Sequence, residues 1–244
     1  VEAGRAFNTV HPGAVYLHLG ASYEVDELDL RGRRALVRRF EGDWYTQPKT
    51  ETETFIEEVR AQRILGTGVE LNFGIVDVTE QVVAFQKKRV SDHEVLDLLP
   101  VDLPEQRFVT QALWYVLPDK LLKDEFPLDV LQGSLHAAEH SQIAVLPLIA
   151  MVDRWDIGGL STAYHAQTGR PTIFIYDGHP GGVGITRLGY SSFERICDDA
   201  LRLISECPCE SGCPSCVQSP KCGNLNEPLN KNGAAELLKR VVGV

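Results

Sequence analysis

The sequence lacks the features of a membrane or exported protein. No apolar run reaches the roughly eighteen residues that a membrane-spanning helix needs, and the best candidate, Ile143 to Val152, is short and contains Pro147. The first residues, Val-Glu-Ala-Gly, lack the charged and apolar stretches of a signal peptide. An initiating methionine is also missing, so we expect the chain to be part of a longer polypeptide.

The chain also lacks an excess of basic over acidic residues. The formal charge of −10 at pH 7 argues against indiscriminate nucleic-acid binding by the whole surface. Two basic runs remain, within residues 31–39 and 87–89. We interpret them as solvated strand faces balanced by acidic neighbours. Contacts with nucleic-acid phosphates, which would make binding salt-dependent, are the alternative.

A nucleotide-binding loop is the third absence. The chain has no Gly-x-x-x-x-Gly-Lys-Ser/Thr run. A glycine-rich loop, Asp177 to Gly184, follows a predicted buried strand, Thr172 to Tyr176, but Arg187 stands where a dinucleotide fingerprint needs its third glycine. We therefore predict no ATP site. The loop is expected to form a tight turn packed against the cysteine segment described below, with phosphate contacts as the alternative.

The composition is that of a globular protein, with 43% hydrophobic and 24% charged residues. Up to about residue 118, apolar residues alternate at strand period, for example at Val15, Leu17 and Leu19. After about residue 128 the spacing becomes helical, with a kink expected before Pro147. We predict three parts: a β-rich subdomain (1–118), a mixed helical subdomain (119–206) and a terminal module (207–244).

Two later helices have sequence signals at their starts. Ser191 and Glu194 have the spacing of a capping box ahead of an amphipathic run. A last helix is predicted from Gly233 to about Val242, with Asn230 or Asn232 as its N-cap.

Five of the six cysteines lie close together near the C-terminus. Zinc prefers four thiolates in a tetrahedron, and a Cys-x-x-Cys pair places two of them on one turn. The ligands predicted for a structural Zn²⁺ are Cys209, Cys213, Cys216 and Cys222. Cys207 is the spare, and it could replace Cys209 or Cys222. The predicted fold class is thus α+β, with a C-terminal four-cysteine zinc module.

Disulfides and an iron–sulfur cluster are the alternatives to zinc. An odd number of clustered cysteines at such short spacing would strain most disulfide pairings. Four thiolates leave no open coordination position, so we expect the metal to stabilise the fold and not to catalyse. Cys197 falls on the apolar stripe of a predicted helix and is expected in the core.

His136-Ala-Ala-Glu139-His140 matches the inverzincin pattern of zinc proteases. Histidines four residues apart on a helix could chelate zinc, with Glu139 as general base. A third ligand would have to be distant, and Asp153 or Asp156 could serve. The alternatives for the two histidines are structural hydrogen bonding and a nucleic-acid or interdomain role.

Five distinctive sequence blocks follow one another between about residue 10 and residue 232. They are His11-Pro-Gly-Ala-Val-Tyr-Leu-His with Tyr23-Glu-Val-Asp-Glu-Leu-Asp-Leu, Leu135-His-Ala-Ala-Glu-His, Asp153-Arg-Trp-Asp-Ile-Gly-Gly, Thr172-Ile-Phe-Ile-Tyr-Asp-Gly-His-Pro-Gly-Gly-Val-Gly, and the cysteine run ending Ser219-Pro-Lys-Cys-Gly-Asn. Together they resemble the C-terminal domain of MrfA-type superfamily-2 DNA helicases, called the MrfA zinc-binding domain.

The resemblance implies an accessory domain of an ATP-dependent 3′-to-5′ helicase of bacterial DNA repair. ATP and Mg²⁺ would belong to N-terminal motor lobes outside this chain, which would be no enzyme alone. Its expected partners are those lobes and single-stranded DNA, in a monomeric, cytoplasmic, nucleoid-associated protein. The domain would clamp the strand, with contacts expected from Arg154, Trp155, His136 and His140. The family's zinc ligands carry over to Cys209, Cys213, Cys216 and Cys222.

Two other functions stay open at this point. The first is a zinc metalloprotease that uses His136, Glu139 and His140. The second is a protein-docking module whose partner surface is stabilised by zinc.

Overall fold

The structure, a computed structural model, describes residues 1–122 and 126–243. The described residues form nine strands: β1 (Val15–His18), β2 (Ala21–Asp29), β3 (Arg34–Arg39), β4 (Trp44–Ile64), β5 (Glu70–Arg89), β6 (Val95–Pro100), β7 (Gln106–Val116), β8 (Ile157–Thr162) and β9 (Thr172–Asp177). The helices are α1 (Ala6–Thr9), α2 (Asp119–Leu122), α3 (Leu128–Val145), α4 (Pro147–Ala150), α5 (Ile185–Ser191), α6 (Phe193–Glu206) and α7 (Lys231–Val242). The predicted β-rich N-terminal part with helices after it is confirmed.

The described residues form two compact units that do not follow chain order. The first comprises Val1–Thr52, Thr79–Gln106 and Gly223–Leu225, and the second comprises Glu53–Val78, Arg107–Cys222 and Asn226–Val244. The predicted division at residues 118 and 206 is of another kind, since it assumed contiguous segments, and it stays a prediction.

The first unit is built from antiparallel strands. β1, β2 and β3 form a three-stranded sheet, with a bulge between Val25 and Glu27 where β2 pairs with β3. The end of β5 pairs with β6. Acidic neighbours balance the basic runs: Arg38 pairs with Glu24 and Asp26, and Arg89 pairs with Asp92 and Glu94. These ion pairs agree with the interpretation of solvated strand faces.

In the second unit, β9 lies inside the sheet, where it pairs antiparallel with β7 on one side and with the edge strand β8 on the other. Successive side chains of a strand point to opposite faces. Ile173 and Ile175 therefore pack among the helices, whereas Phe174 and Tyr176 join Trp114 on the opposite face. Because both faces are covered, the whole strand is buried, which explains its uninterrupted apolar sequence.

Helix α3 is the centre of the helical layer. It contacts α6, α7, β8 and β9, and most of its residues are buried, including the polar residues Ser134, His136, Glu139, His140 and Gln142. The helix ends at Val145, and α4 begins at Pro147, where the kink was predicted. Among the described residues, no helix is long and apolar enough to cross a membrane.

The helix starts were predicted with mixed success. Asn230 caps α7, because its side chain accepts the Gly233 N–H at 2.8 Å. The capping box at Ser191 and Glu194 is wrong. The Ser191 hydroxyl donates to the Arg187 carbonyl within α5, and Glu194 forms an ion pair with Arg63.

Candidate metal centre

Four cysteine sulfurs meet in the loop that follows α6. The Sγ atom of Cys207 lies 3.6 Å from that of Cys209 and 3.5 Å from that of Cys213. The Sγ atom of Cys216 lies 3.5 Å from that of Cys209 and 3.8 Å from that of Cys213. Four sulfurs placed about 2.3 Å from a zinc ion would be separated by about 3.8 Å. The cluster therefore has the dimensions of a tetrahedral zinc site.

A tight turn brings the Cys-x-x-Cys pair together. The Cys213 carbonyl accepts the N–H groups of Cys216, Val217 and Gln218 at 3.0, 3.2 and 3.1 Å. The Cys213 N–H in turn donates to the Cys216 sulfur at 3.4 Å. Val217 anchors the turn because its side chain is completely buried in the main core. The backbone thus holds both sulfurs on one side of the loop.

Lys231, the first residue of α7, braces the other half of the cluster. Its ammonium group donates to the carbonyls of Cys207 at 2.7 Å and Cys209 at 2.5 Å. The side chain is only 8% exposed. A buried cation at this point fixes both backbone groups and offsets the negative charge that four thiolates would bring. No sequence pattern had indicated this role.

The cluster also stabilises thiolate within itself. Burial opposes ionisation of Cys209, but hydrogen bonds from the thiols of Cys216, Cys207 and Cys213 lower its pKa to about 7. Burial raises the pKa of Cys216 to about 12, and its thiol is then a donor to its neighbours. Thiolate is the form that binds metal, so one ligand is close to its binding state at neutral pH.

The structure differs from the predicted ligand set at one position. Cys207, predicted as the spare, completes the four-sulfur cluster with Cys209, Cys213 and Cys216. Cys222 lies elsewhere, with its Sγ atom 3.3 Å from Nε2 of His136. It belongs to a second group of potential ligands, His136, His140 and Cys222.

The histidines of the predicted protease motif lie on the buried face of α3. His136 and His140 are 6% and 7% exposed, and their ring centroids are 4.3 Å apart. Burial lowers the pKa of both rings, that of His140 to about 3 with a further contribution from His136. Burial also raises the pKa of Glu139 to about 7. Both rings are therefore neutral, and their burial keeps them away from a DNA strand bound at the protein surface.

The carboxylates considered as third protease ligands have other roles. Asp153 caps the short 3₁₀ turn Arg154–Asp156, and Asp156 lies 2.9 Å from Nε2 of His179. Among the described residues, the third donor beside the two histidines is the thiol of Cys222 and not a carboxylate. The geometry does not reproduce a protease site.

The glycine-rich loop folds around the carboxylate of its first residue, Asp177. The buried carboxylate of Asp177 accepts the N–H groups of Val183, Gly184, Ile185 and Thr186 at distances between 2.6 and 3.2 Å. It thereby occupies the start of α5, where a phosphate could otherwise bind. The predicted tight turn is present, and β7 holds it through hydrogen bonds from the Thr110 hydroxyl to the Asp177 carbonyl and from the Gln111 amide to the Gly181 carbonyl. Its packing against the cysteine segment stays a prediction.

A family model for the MrfA Zn-binding domain matches residues 138–217, a range that includes all four clustered sulfurs and His140. The matched segment has the sequence of an MrfA Zn-binding domain. The chain's resemblance to MrfA-type helicases is thereby confirmed, as is a zinc-binding domain at this end of the chain. Cys197 lies outside both ligand groups and is completely buried, as predicted.

Two helicases to which this chain is similar are much longer proteins. It is 31% identical over 214 residues to the uncharacterized ATP-dependent helicase YprA of Bacillus subtilis, covering 87% of this chain and 28% of YprA. It is 28% identical over 257 residues to the ATP-dependent helicase HRQ1 of Saccharomyces cerevisiae, covering 100% of this chain and 24% of HRQ1. The chain therefore spans about a quarter of the length of these helicases.

A solved structure extends the similarity to nearly the whole chain. The crystal structure of the DUF1998 helicase MrfA bound to DNA matches with a TM-score of 0.63 and 29% identity, covering 97% of this chain and 31% of that one. The likeness thus includes the β-rich part that the family model leaves out.

Proposed function

We propose that this chain is the accessory zinc-binding part of an ATP-dependent DNA helicase. The observation that carries the proposal is the similarity over 97% of the chain to a helicase crystallised with DNA. ATP and Mg²⁺ would be bound by motor lobes outside this chain, in keeping with an Asp177 loop that already holds its own carboxylate. By itself the chain would not hydrolyse ATP. We further propose a monomeric, cytoplasmic protein associated with the bacterial nucleoid.

The zinc ion in this proposal has a structural role. Its ligands are the sulfurs of Cys207, Cys209, Cys213 and Cys216, in place of the set with Cys222. Four thiolates leave no position for water or substrate. The segment from the end of α6 to the start of α7 contains no regular element, so zinc binding supplies much of the free energy that orders it.

The DNA contact is proposed at Arg154 and Trp155. Trp155 is 51% exposed, and its backbone N–H donates to the Asp153 carboxylate at 2.9 Å. The Asp153 N–H donates in return to Asp156 at 3.1 Å. An exposed aromatic residue on a fixed turn, next to an arginine in the sequence, suits base stacking without base readout. Buried His136 and His140 are not carried into this proposal.

The test is fluorescence anisotropy of a labelled single-stranded oligothymidine with the 244-residue chain. We expect binding that weakens as salt rises, because backbone contacts release counterions. Trp155→Ala should lower the affinity by about tenfold, the value of one lost stacking contact of about 1.4 kcal/mol. Tyr164→Ala is the matched control, since Tyr164 is also exposed, at 69%, but lies outside the proposed contact.

Two results would contradict the proposal. One is the absence of any binding at low salt, together with unchanged ATP-driven unwinding when Trp155→Ala is placed in a helicase-length polypeptide. The other is an equal loss of affinity in Trp155→Ala and Tyr164→Ala, which would mean that the ring has no specific role.

A further inference from the structure

We propose that His136, His140 and Cys222 form a second metal site, separate from the four-cysteine cluster, and that it takes a zinc ion. The three donor atoms lie within 4.8 Å of one another, and all three residues are buried. A metal bound here would join the middle of α3 to the segment that follows the cysteine turn. The inference does not rest on the helicase function.

The two imidazole rings are already oriented as metal ligands. Nδ1 of His136 lies 2.9 Å from the Pro228 carbonyl, and Nδ1 of His140 lies 2.7 Å from the Val217 carbonyl. A carbonyl oxygen can only accept, so each Nδ1 must carry the proton. Each Nε2 then presents a lone pair. Histidines that bind metals are held in this way, by donating their other ring N–H to a backbone carbonyl or carboxylate.

The third donor is directed towards the same point. The Cys222 sulfur lies 3.3 Å from Nε2 of His136. Ideal zinc distances to nitrogen and sulfur place two such ligands about 3.6 Å apart, so a small displacement would admit the ion. The Asn226 N–H also points at the Cys222 sulfur, at 3.3 Å. A backbone donor of this kind stabilises thiolate.

The chemistry of the donors selects the metal. Two imidazoles and a thiolate are nitrogen and sulfur ligands, which suit zinc and not the oxygen-seeking Mg²⁺ or Ca²⁺. Three protein ligands leave the fourth zinc position for a small molecule such as water. The surroundings differ from those of the four-cysteine cluster, where the ligands themselves fill the coordination sphere.

The two sites are linked through one peptide unit. His140 donates to the carbonyl of Val217, and Val217 directly follows the cluster ligand Cys216. A metal on His140 would strengthen that hydrogen bond, because metal coordination makes the remaining ring N–H a better donor. The second ion would thus tighten the turn that positions the first.

The experiment measures the zinc content of the 244-residue chain as purified under reducing conditions, and its Co²⁺ binding after the zinc has been removed. We expect two equivalents of zinc in the unaltered chain and one in Cys222→Ser. Cys197→Ser is the matched control, since it also removes a buried thiol but should retain two equivalents. One equivalent in the unaltered chain, or two in Cys222→Ser, would overturn the proposal.

A Co²⁺ titration of the unaltered chain keeps the test valid should Cys222→Ser fold poorly. The proposal expects two spectroscopically distinct equivalents, one with strong thiolate charge-transfer absorption from four sulfurs and one with much weaker absorption from a single sulfur. A titration that ends after the four-sulfur spectrum would contradict the second site.

Discussion

The two ligand groups of this chain stand in contrasting parts of the structure. The four-cysteine cluster lies on a loop between α6 and α7, and three of its four sulfurs belong to only partly buried residues. The group of His136, His140 and Cys222 is buried, and two of its members project from an 18-residue helix in the core. One group is held mainly by short turns, and the other by the packing of a helix.

The contrast teaches how metal and fold depend on each other. Where a segment has no regular structure, metal binding and folding are one process. Where the ligands project from a packed helix, the core already positions them, and the metal adds to a fold that exists without it. The loop cluster should therefore lose its structure without zinc, whereas the helix group should keep its geometry.

The largest expected effect comes from breaking the loop cluster. Cys216→Ser removes one of four ligands, and a structural zinc site contributes roughly 10 kcal/mol or more of binding free energy to the segment it orders. We expect rapid cleavage between residues 207 and 230 in limited proteolysis, followed by mass spectrometry. Wild-type protein treated with a strong chelator should give the same fragments.

The core around α3 is the internal reference for that experiment. Peptide bonds within α3 and β9 should remain protected in both samples, because their apolar contacts do not involve the metal. General cleavage throughout the chain would show that zinc supports the whole fold, and the contrast between the two groups would fail.

A smaller effect is expected from the helix group, and it should persist without metal. In excess chelator, His140→Ala should lower the free energy of unfolding by about 2–3 kcal/mol, because the buried Val217 carbonyl loses its donor. Urea denaturation measures this. Cys216→Ser should lower this free energy by less under the same conditions, since Cys216 then has no metal to bind and only the burial of a hydroxyl remains as a cost.

His18→Ala serves as the control for the His140 experiment. His18 is exposed at the end of β1 and should cost little stability when removed. An equally small effect of His140→Ala in chelator would indicate that the ring is not preorganised, and that the helix group depends on metal as the loop does.

The sequence predicted that a zinc-binding cysteine cluster exists, but it did not determine which cysteines belong to it. Short cysteine spacing indicated zinc because spacing alone determines whether sulfurs can share one turn. The choice between Cys207 and Cys222 depends on α3, because His136 lies beside Cys222 across 86 residues of chain. Nothing within residues 207–222 carries that information. The role of Lys231 likewise depends on where α7 begins relative to the loop.

The fold shows the same limit. Strand β9 was predicted because its apolar run matches burial on both faces. Most of the 21-residue β4 was missed, since it alternates half-buried threonines with exposed glutamates, and these residues do not produce an apolar pattern. The capping box failed because Glu194 finds its partner in Arg63, which lies 131 residues away in sequence. Local patterns predict elements whose partners are local.

The smallest effect we predict separates the two groups by charge. Lys231→Met keeps the apolar stem but removes the ammonium group that donates to the carbonyls of Cys207 and Cys209. Loss of such an outer contact typically weakens metal binding by about tenfold or more. Competition with a colorimetric chelator should show faster zinc release from the loop cluster, with the Co²⁺ spectrum of the helix group unchanged. Lys239→Met, on the exposed side of the same helix, should release zinc at the wild-type rate. Equal rates in both lysine variants would mean that backbone turns alone hold the four sulfurs. The loop would then position its ligands by itself, as the helix group does, despite its lack of regular structure.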